Sequence, residues 1–278
     1  MKFHYYGTAA AEGVPSMFGC GCEVCKIARE VGGRHIRTRS QAAVDGRLLI
    51  DFPPDTCAHV LYGGLDLGNI SSCIITHDHS DHFYLKDLQM RAEWFSTPEF
   101  KGPLTVYGTR QIGDLVNPFI ENAGLDKQGR VAFKEVQPFV RFEADEYGIT
   151  PLKAAHGDCA GAVIYLIEKD NKSILYGNDT AYFPEETWSY FAEVRPYINF
   201  VSLDCTFGFR EDTGTTHMNF GANLEVRARL EELGCADNNS RYCAHHFSHN
   251  GKTSYDEMVK AAEEKGFLVS YDGMEVDI

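Results

Sequence analysis

The chain contains the stretch Thr76-His77-Asp78-His79-Ser80-Asp81-His82, which follows directly on the apolar run Ser72-Cys73-Ile74-Ile75. The β-branched isoleucines favour a strand, and the residues after them are too polar for a core, so we predict a loop at the end of a strand. In the pattern His-x-His-x-Asp-His, the first two histidines can reach one ion while Asp81 and His82 reach a second. These donors suit zinc, manganese or iron. A solvated polar loop is the alternative, and the density of donors favours metal.

Length and composition restrict what such a site can belong to. The 278 residues, 44% of them hydrophobic, favour one large α/β domain over 1–278 or two tightly fused halves. No stretch approaches the roughly 20 apolar residues of a membrane span. The N-terminus also lacks the pattern of a signal peptide, so we expect a cytoplasmic protein without a membrane partner. The net charge of −14 disfavours nucleic acid, whereas bound metal ions would still admit small anionic substrates.

A second group of metal-binding side chains lies near the N-terminus, in Cys20-Gly21-Cys22-Glu23-Val24-Cys25. Nine cysteines, an odd number, in a long chain without an export signal indicate reduced thiols and metal ligands rather than disulfides. Three thiolates so close together suit tetrahedral zinc, which needs a fourth ligand from elsewhere. Free cysteines leading into a helix over 23–31 are the alternative. A closed site of this kind predicts a structural role.

Further metal-binding candidates follow other predicted strands. His156 ends the predicted strand 149–156, and Asp179 follows the second strand of a hairpin formed by 161–168 and 173–176. The two oxygens of an aspartate can bridge two ions, which one imidazole cannot do. Asp51 ends a strand as well. It either accepts a hydrogen bond from a ligand histidine or is a solvated carboxylate.

The remaining pattern alternates strands with helices and shows no linker. A hairpin is predicted over 42–51 because Asp45-Gly46 is a tight-turn signal. Apolar spacing predicts helices over 84–95, 110–122, 219–233 and 255–264. The last segment, 267–278, reads as a hairpin that turns at Asp272-Gly273.

With these residues in place, the chain resembles the metallo-β-lactamase fold superfamily, through the His-x-His-x-Asp-His signature and the later single His, Asp and His. Within it, the chain is most similar to the phosphoribosyl 1,2-cyclic phosphate phosphodiesterases of the carbon-phosphorus lyase pathway. Motifs in that family's order run from Gly7-Thr8 and Glu12-Gly13-Val14-Pro15 through the cysteines to Asp204-Cys205 and Tyr271-Asp272-Gly273-Met274-Glu275. The resemblance implies an α/β fold, an αββα four-layer sandwich with two mixed sheets.

The resemblance also implies a ligand set. It assigns one catalytic ion to His77, His79 and His156, the other to Asp81, His82 and His246, and a bridging position to Asp179. It gives His249 as the fourth ligand of a structural zinc held by Cys20, Cys22 and Cys25. The catalytic candidates are Asp81 and His217, the latter near the substrate phosphate. From the residues alone, His217 is equally a helix cap or an exposed histidine. His245 departs from the family's pattern. It either replaces His246 as a metal ligand or contacts a ligand residue without binding metal itself.

The expected activity is that of a dinuclear metal-dependent phosphodiesterase. Two Zn or Mn ions about 3.5 to 4 Å apart would provide a metal-bound hydroxide that opens a small cyclic phosphodiester, and His217 could protonate the leaving group. No nucleic-acid partner is expected, and a homodimer is among the expected assemblies.

Several alternatives stay open. The same site could hydrolyse another ester, a lactone or a thioester. A transfer-RNA 3′-processing nuclease would need a basic arm that holds RNA, and the negative net charge of the chain disfavours this function. A pyrroloquinoline quinone biosynthesis protein shares the cysteine cluster but has a degraded metal motif, whereas the motif here is intact. A non-enzymatic metal-binding or redox-sensing protein would have thiols that react without prior chelation.

Overall fold

Two seven-stranded sheets lie at the centre of the protein. The structure is a computed structural model, and it describes residues 1–97, 102–157, 159–212 and 214–278. The first sheet is built from β1 (Lys2–Gly7), β2 (Gln41–Val44), β3 (Leu48–Ile50), β4 (Ser72–Ile74), β5 (Leu104–Gly108), β6 (Val131–Glu135) and β14 (Met274–Asp277). Its order is β14-β1-β2-β3-β4-β5-β6. The pairs from β14 to β3 are antiparallel and those from β3 to β6 are parallel, so the sheet is mixed.

The second sheet comes from the other half of the chain. Its strands are β7 (Phe142–Ala144), β8 (Tyr147–Lys153), β9 (Val163–Lys169), β10 (Lys172–Gly177), β11 (Phe200–Asp204), β12 (Arg241–His245) and β13 (Phe267–Val269). They follow the order β13-β12-β11-β10-β9-β8-β7. Strands β10 to β13 are parallel to one another, so the carboxyl ends of β10, β11 and β12 meet at one edge.

Six α-helices accompany the sheets in the described ranges. They are α1 (Glu23–Val31), α2 (Thr56–Tyr62), α3 (Arg110–Asn122), α4 (Glu185–Val194), α5 (Phe220–Glu232) and α6 (Tyr255–Glu264). The start of α6 is well defined because Ser254 and Glu257 form a reciprocal capping box. None of the helices in the described part of the chain is long and apolar enough to span a membrane.

Side-chain alternation divides the core into three clusters of apolar side chains, one between the two sheets and one on the outer face of each sheet. In β9, Val163, Tyr165 and Ile167 pack between the two sheets, whereas Ile164 and Leu166 face the outer layer that contains Trp188 of α4. On the other side, residues of α3 pack on the outer face of the first sheet. The layers are therefore helix, sheet, sheet and helix, which confirms the predicted αββα sandwich with two mixed sheets.

Most predicted elements form, with three differences. The segment 84–95 contains a 3-10 helix, Leu85–Arg91, instead of an α-helix. Helices α2 and α4 were not predicted. The expected hairpin over 267–278 is wrong, because β13 pairs with β12 in the second sheet while β14 pairs with β1 in the first. Both strands carry the right local pattern, but their partners are distant in sequence, and the local pattern contains no information about them.

Candidate metal centre

The histidine-rich stretch forms a loop directly after β4, as the sequence predicts. Asp51, just after β3, holds the start of this loop, since it accepts hydrogen bonds from the Thr76 backbone N–H (2.8 Å) and hydroxyl (3.0 Å). It also bonds His82 Nδ1 at 2.8 Å and is fully buried. Of the two roles considered for Asp51, support of a candidate ligand histidine is the one that agrees with these contacts.

One cluster of donors contains His77, His79, His156 and Asp179, whose nearest ligand-type atoms all lie within 4.8 Å of one another. His79 Nδ1 lies 3.1 Å from His156 Nε2. His77 Nε2 lies 3.3 Å from Asp179 Oδ2. The four residues come from the loop after β4, the loop after β8 and the loop after β10, so the fold brings together donors that are about one hundred residues apart in sequence.

A second cluster adjoins the first and shares Asp179 with it. Its members are Asp81, His82, Asp179 and His246. Asp179 Oδ2 lies 2.9 Å from His82 Nε2, and His246 Nε2 lies 3.2 Å from the same His82 nitrogen. Because Asp179 belongs to both clusters, its position agrees with the bridging role expected from the resemblance.

The donor arrangement fits divalent cations. His77 Nε2 is buried and has no hydrogen-bond partner among the described residues, while Asp179 Oδ1 faces ring nitrogens of His156 and His217 at 3.1 and 3.0 Å. The nitrogen pairs His79–His156 and His82–His246 face each other at 3.1 and 3.2 Å, and two neutral imidazole lone pairs at that distance need a proton or a cation between them. Unpaired buried polar atoms are costly, and coordination would satisfy all of them.

The electrostatics of the two clusters are dominated by Asp179 and its neighbours. Burial alone would raise the pKa of Asp179, but the electrostatic interactions with His246 and His77 hold that pKa well below its usual range. Burial, together with the charge of His82, lowers the pKa of His77 well below its ordinary value. A carboxylate that stays ionised beside a neutral imidazole is the protonation state that metal coordination requires.

His217 lies at the edge of the same centre. Its Nδ1 is 2.9 Å from Asp204 Oδ2 and 3.0 Å from Asp179 Oδ1. Burial would lower its pKa, but the charge of Asp204 and the hydrogen bonds to both carboxylates raise it to about 10. The helix-cap alternative does not hold, because Asn219 is the N-cap of α5 and accepts from the Ala222 N–H.

The structure distinguishes His245 from its neighbour His246. Both ring nitrogens of His245 form hydrogen bonds with serine hydroxyls outside the two donor clusters. Nε2 lies 2.9 Å from Ser40 Oγ, and Nδ1 lies 3.0 Å from Ser270 Oγ. His246 follows β12 with a positive φ of 59° and enters the second donor cluster. His245 therefore does not take the place of His246.

The cysteine cluster assembles with His249, the partner expected from the resemblance. Cys20, Cys22, Cys25 and His249 place their ligand-type atoms within 4.8 Å of one another. His249 Nδ1 lies 3.6 Å from Cys20 Sγ and 3.4 Å from Cys22 Sγ. Burial would raise the pKa of Cys22, but hydrogen bonds from the Cys25 backbone and from His249 bring it to about 7. Four such donors fit a tetrahedral zinc.

Two cavities open beside the donor clusters. The larger, of about 530 Å³, extends from His77, His79 and His156 toward Gln111 and Cys159. The smaller, of about 350 Å³, is bounded by residues of both clusters and by Ala10, Ala11, Glu12, Thr206, Phe207, Thr216, His217, Ser248 and Asn250. A substrate whose reacting group lies at the donors therefore has space on two sides.

Sequence reasoning assigned no role to Asp204 or Thr206. Asp204 accepts from His217, and Thr206 Oγ1 lies 2.8 Å from His246 Nδ1, so both orient candidate residues. The sequence signal for Asp204 was its position at the end of a buried strand. In the structure β11 lies between β10 and β12, so the end of β11 lies between Asp179 and His246. No local pattern indicated Thr206.

Comparison with known proteins establishes the family. A family model described as the beta-lactamase superfamily domain matches residues 47–247, well over half of the chain. The chain therefore belongs to the beta-lactamase superfamily, which confirms the superfamily to which the histidine motif pointed.

Individual relatives are more distant. Ribonuclease Z of Listeria innocua is 26% identical over 182 residues, which are 63% of this chain and 52% of that protein. Exodeoxyribonuclease YycJ of Bacillus anthracis is 24% identical over 118 residues, 42% of this chain and 39% of that protein. The matched part thus spans about half or less of the length of these curated relatives.

Solved structures share the fold over the whole chain. A diphosphatase from the PhnP family superposes with a TM-score of 0.76 at 20% identity, covering 100% of this chain and 97% of the other. Zinc-bound PqqB from Methylobacterium extorquens gives 0.75 at 20% identity, with 100% of both chains covered. The human short-form tRNase Z gives 0.68 at 16% identity over 100% and 99%. At these identities the likeness concerns the fold alone.

Proposed function

We propose that this protein is a dinuclear metal-dependent phosphodiesterase that opens a small cyclic phosphodiester. The observation that carries the proposal is the pair of donor clusters that share Asp179 beside two cavities. The proposed ligands are His77, His79 and His156 for one ion, Asp81, His82 and His246 for the other, and Asp179 for both. Zinc and manganese both suit this set.

The metals and the protein have separate tasks in the proposed reaction. When bound, two divalent cations supply positive charge that polarises a phosphoryl group and lowers the pKa of water. Asp179 and Asp81 provide the negative charge that retains the cations. Asp51 and Thr206 orient His82 and His246 through their Nδ1 atoms.

His217 is the proposed proton donor. Its Nδ1 is occupied by Asp204 and Asp179, so Nε2 is the nitrogen left to donate a proton to the departing alkoxide. Because His217 also borders the smaller cavity, its ring can reach a group bound there. A positioned general acid contributes about 10²- to 10⁴-fold to the rate.

The nucleases among the curated relatives make nucleic acid the second candidate substrate. The charge of −14 weighs against a polyanionic chain, since counterion release requires a basic surface. Hydrolysis of a single-stranded oligonucleotide beside the small diester separates the two substrates. Faster cleavage of the oligonucleotide would replace the proposal.

The test uses the full chain loaded with zinc or manganese, a small cyclic phosphodiester such as adenosine 2′,3′-cyclic monophosphate, and the variant Asp179→Asn. We expect about two metal ions per chain beyond the cysteine-bound one, and a loss of at least about 100-fold in kcat/KM together with metal in the variant. Asp170→Asn is the matched control, because Asp170 also has a positive φ, 50° against 54°, and lies in the β9–β10 turn. A metal-replete native chain without diesterase activity would refute the proposal.

A further inference from the structure

Glu12 lies in the wall of the smaller cavity beside the donor clusters. We propose that Glu12 is a specificity-determining residue. Because of Glu12, this cavity accepts the alcohol portion of a substrate when that portion is neutral and carries hydroxyl or amine groups. The cavity disfavours an alcohol portion that carries a second phosphate. The inference rests on the proposed function, because the cavity then holds the part of the substrate next to the reacting diester.

The carboxylate of Glu12 is held in place by three consecutive residues. Ser248 Oγ donates a hydrogen bond to Glu12 Oε1, and Asn250 Nδ2 donates to the same oxygen at 3.2 Å. His249 Nε2 lies 3.5 Å from it. Within the described part of the chain, Oε2 makes no contact of this kind, so it is left to accept a hydrogen bond from a ligand. Moving this carboxylate aside to admit an anion would break these contacts.

The two arginines next to this wall are already paired. Arg39 donates to a backbone carbonyl of the wall at 2.8 Å, and it forms an ion pair with Asp55 at 2.9 Å. Arg210 lies over the ring of Phe207, and Asp212 accepts hydrogen bonds from its Nε and Nη2 at 2.9 and 2.6 Å. Recruiting either guanidinium to a second phosphate would first break an existing pair, so neither offsets the charge of Glu12.

The larger cavity carries a charge of the same sign. Asp78 lies in its wall and accepts a hydrogen bond from Cys159 Sγ at 3.3 Å. Thr109 and Gln111 add a hydroxyl and an amide to that wall. A terminal phosphate therefore meets a carboxylate on whichever side of the donor clusters it lies, whereas hydroxyl and amine donors meet acceptors.

The physical consequence is a penalty on binding. Like charges brought together in a partly desolvated site raise the free energy of the complex, while a hydroxyl hydrogen-bonded to a carboxylate lowers it. We expect the penalty to appear in KM at about tenfold for one added phosphate, since the reacting diester and its contacts are unchanged.

The experiment compares adenosine 2′,3′-cyclic monophosphate with its 5′-phosphorylated counterpart on the zinc-loaded full chain. In the native protein, KM should be about tenfold lower for the probe without the second phosphate. In Glu12→Gln, which keeps the acceptor for Ser248 and Asn250, the KM ratio should fall toward one. Glu275→Gln is the control, because it removes one charge at an exposed position paired with Lys2 and should keep the native ratio.

Calorimetry separates this inference from the proposed function. Adenosine 3′-phosphate and adenosine 3′,5′-bisphosphate are titrated into the same three zinc-loaded proteins, which requires no turnover. Tighter binding of the monophosphate that disappears in Glu12→Gln supports the role of Glu12. Equal or tighter binding of the bisphosphate by the native protein overturns it, whether or not either cyclic probe is hydrolysed. Hydrolysis of neither probe refutes the proposed function alone.

Discussion

Asp51 is expected to stabilise the metal centre through His82, and the substitution Asp51→Asn tests this role. Its fully buried carboxylate accepts hydrogen bonds from three donors, the Thr76 backbone N–H, the Thr76 hydroxyl and His82 Nδ1. Asparagine has nearly the same shape and tolerates the positive φ of 64° at this position. It offers only one accepting oxygen, so one of the donors must face an amide N–H.

The magnitude follows from the contact that is lost. A hydrogen bond to a charged group is worth about 1.5–3 kcal/mol, and loss of a partner behind a metal-binding histidine weakens metal affinity about 10- to 100-fold. At about 1.4 kcal/mol per tenfold, that weakening corresponds to about 1.4–2.8 kcal/mol, and the two figures agree. We therefore expect the variant to bind its catalytic metal about 10- to 100-fold more weakly while the cysteine-bound zinc is retained.

The assay is competition between the protein and a chromophoric chelator, followed by the metal content per chain. Asp145→Asn is the matched control, since Asp145 also has a positive φ, 52°, and accepts from the Ser71 hydroxyl, but it is exposed in the turn before β8. Native-like metal retention in Asp51→Asn would refute the reasoning. Loss of metal in both variants would point to a general loss of stability.

Two further predictions concern the cysteine cluster and a buried histidine. The substitution His249→Ala removes the nitrogen that lies 3.4 Å from Cys22 Sγ. One zinc per chain should then be released, and three thiols should react rapidly with a thiol reagent. If the thiols of this variant still react slowly without a chelator, the zinc assignment is contradicted. Burial lowers the pKa of His59 to about 4, against about 6.5 in the unfolded chain. Between these two pH values the unfolded chain binds a proton at His59 that the folded chain does not bind. The free energy of unfolding therefore falls by up to about 3 kcal/mol as the pH drops from about 6.5 to about 4. Urea unfolding at pH 7 and pH 4.5 with chelator present should show a smaller loss in His59→Gln, and equal losses would exclude His59 as the cause.

Much of the fold was predictable because local patterns specify local structure. The periodicity of 110–122 and 255–264 predicted α3 and α6 with their observed bounds. The turn signal Asp45-Gly46 and the strand patterns of 161–168 and 173–176 correctly predicted two hairpins. The C-terminal segment failed because two adjacent strands joined different sheets, and no residue within 267–278 signals which distant edge is free.

The candidate site divides in the same way. The density of donors in 76–82 and in 20–25 indicates metal binding from the sequence alone, since residue chemistry and spacing are properties of the chain itself. The partnership of Glu12 with Asn250 could not be predicted from local patterns, because these residues are far apart in the chain and meet only through the folded structure.

By itself, the sequence determined which side chains could bind metal and that they follow strands. Only the tertiary structure decided which of them meet. His245 and His246 are adjacent and chemically identical, yet one lies between Ser40 and Ser270 and the other lies beside Asp179. The reason is physical: His245 ends β12, whereas His246 follows the strand with a φ of 59°, so the two side chains point in different directions. What each of them meets depends on the register and packing of the two sheets, which residues from the entire chain fix together.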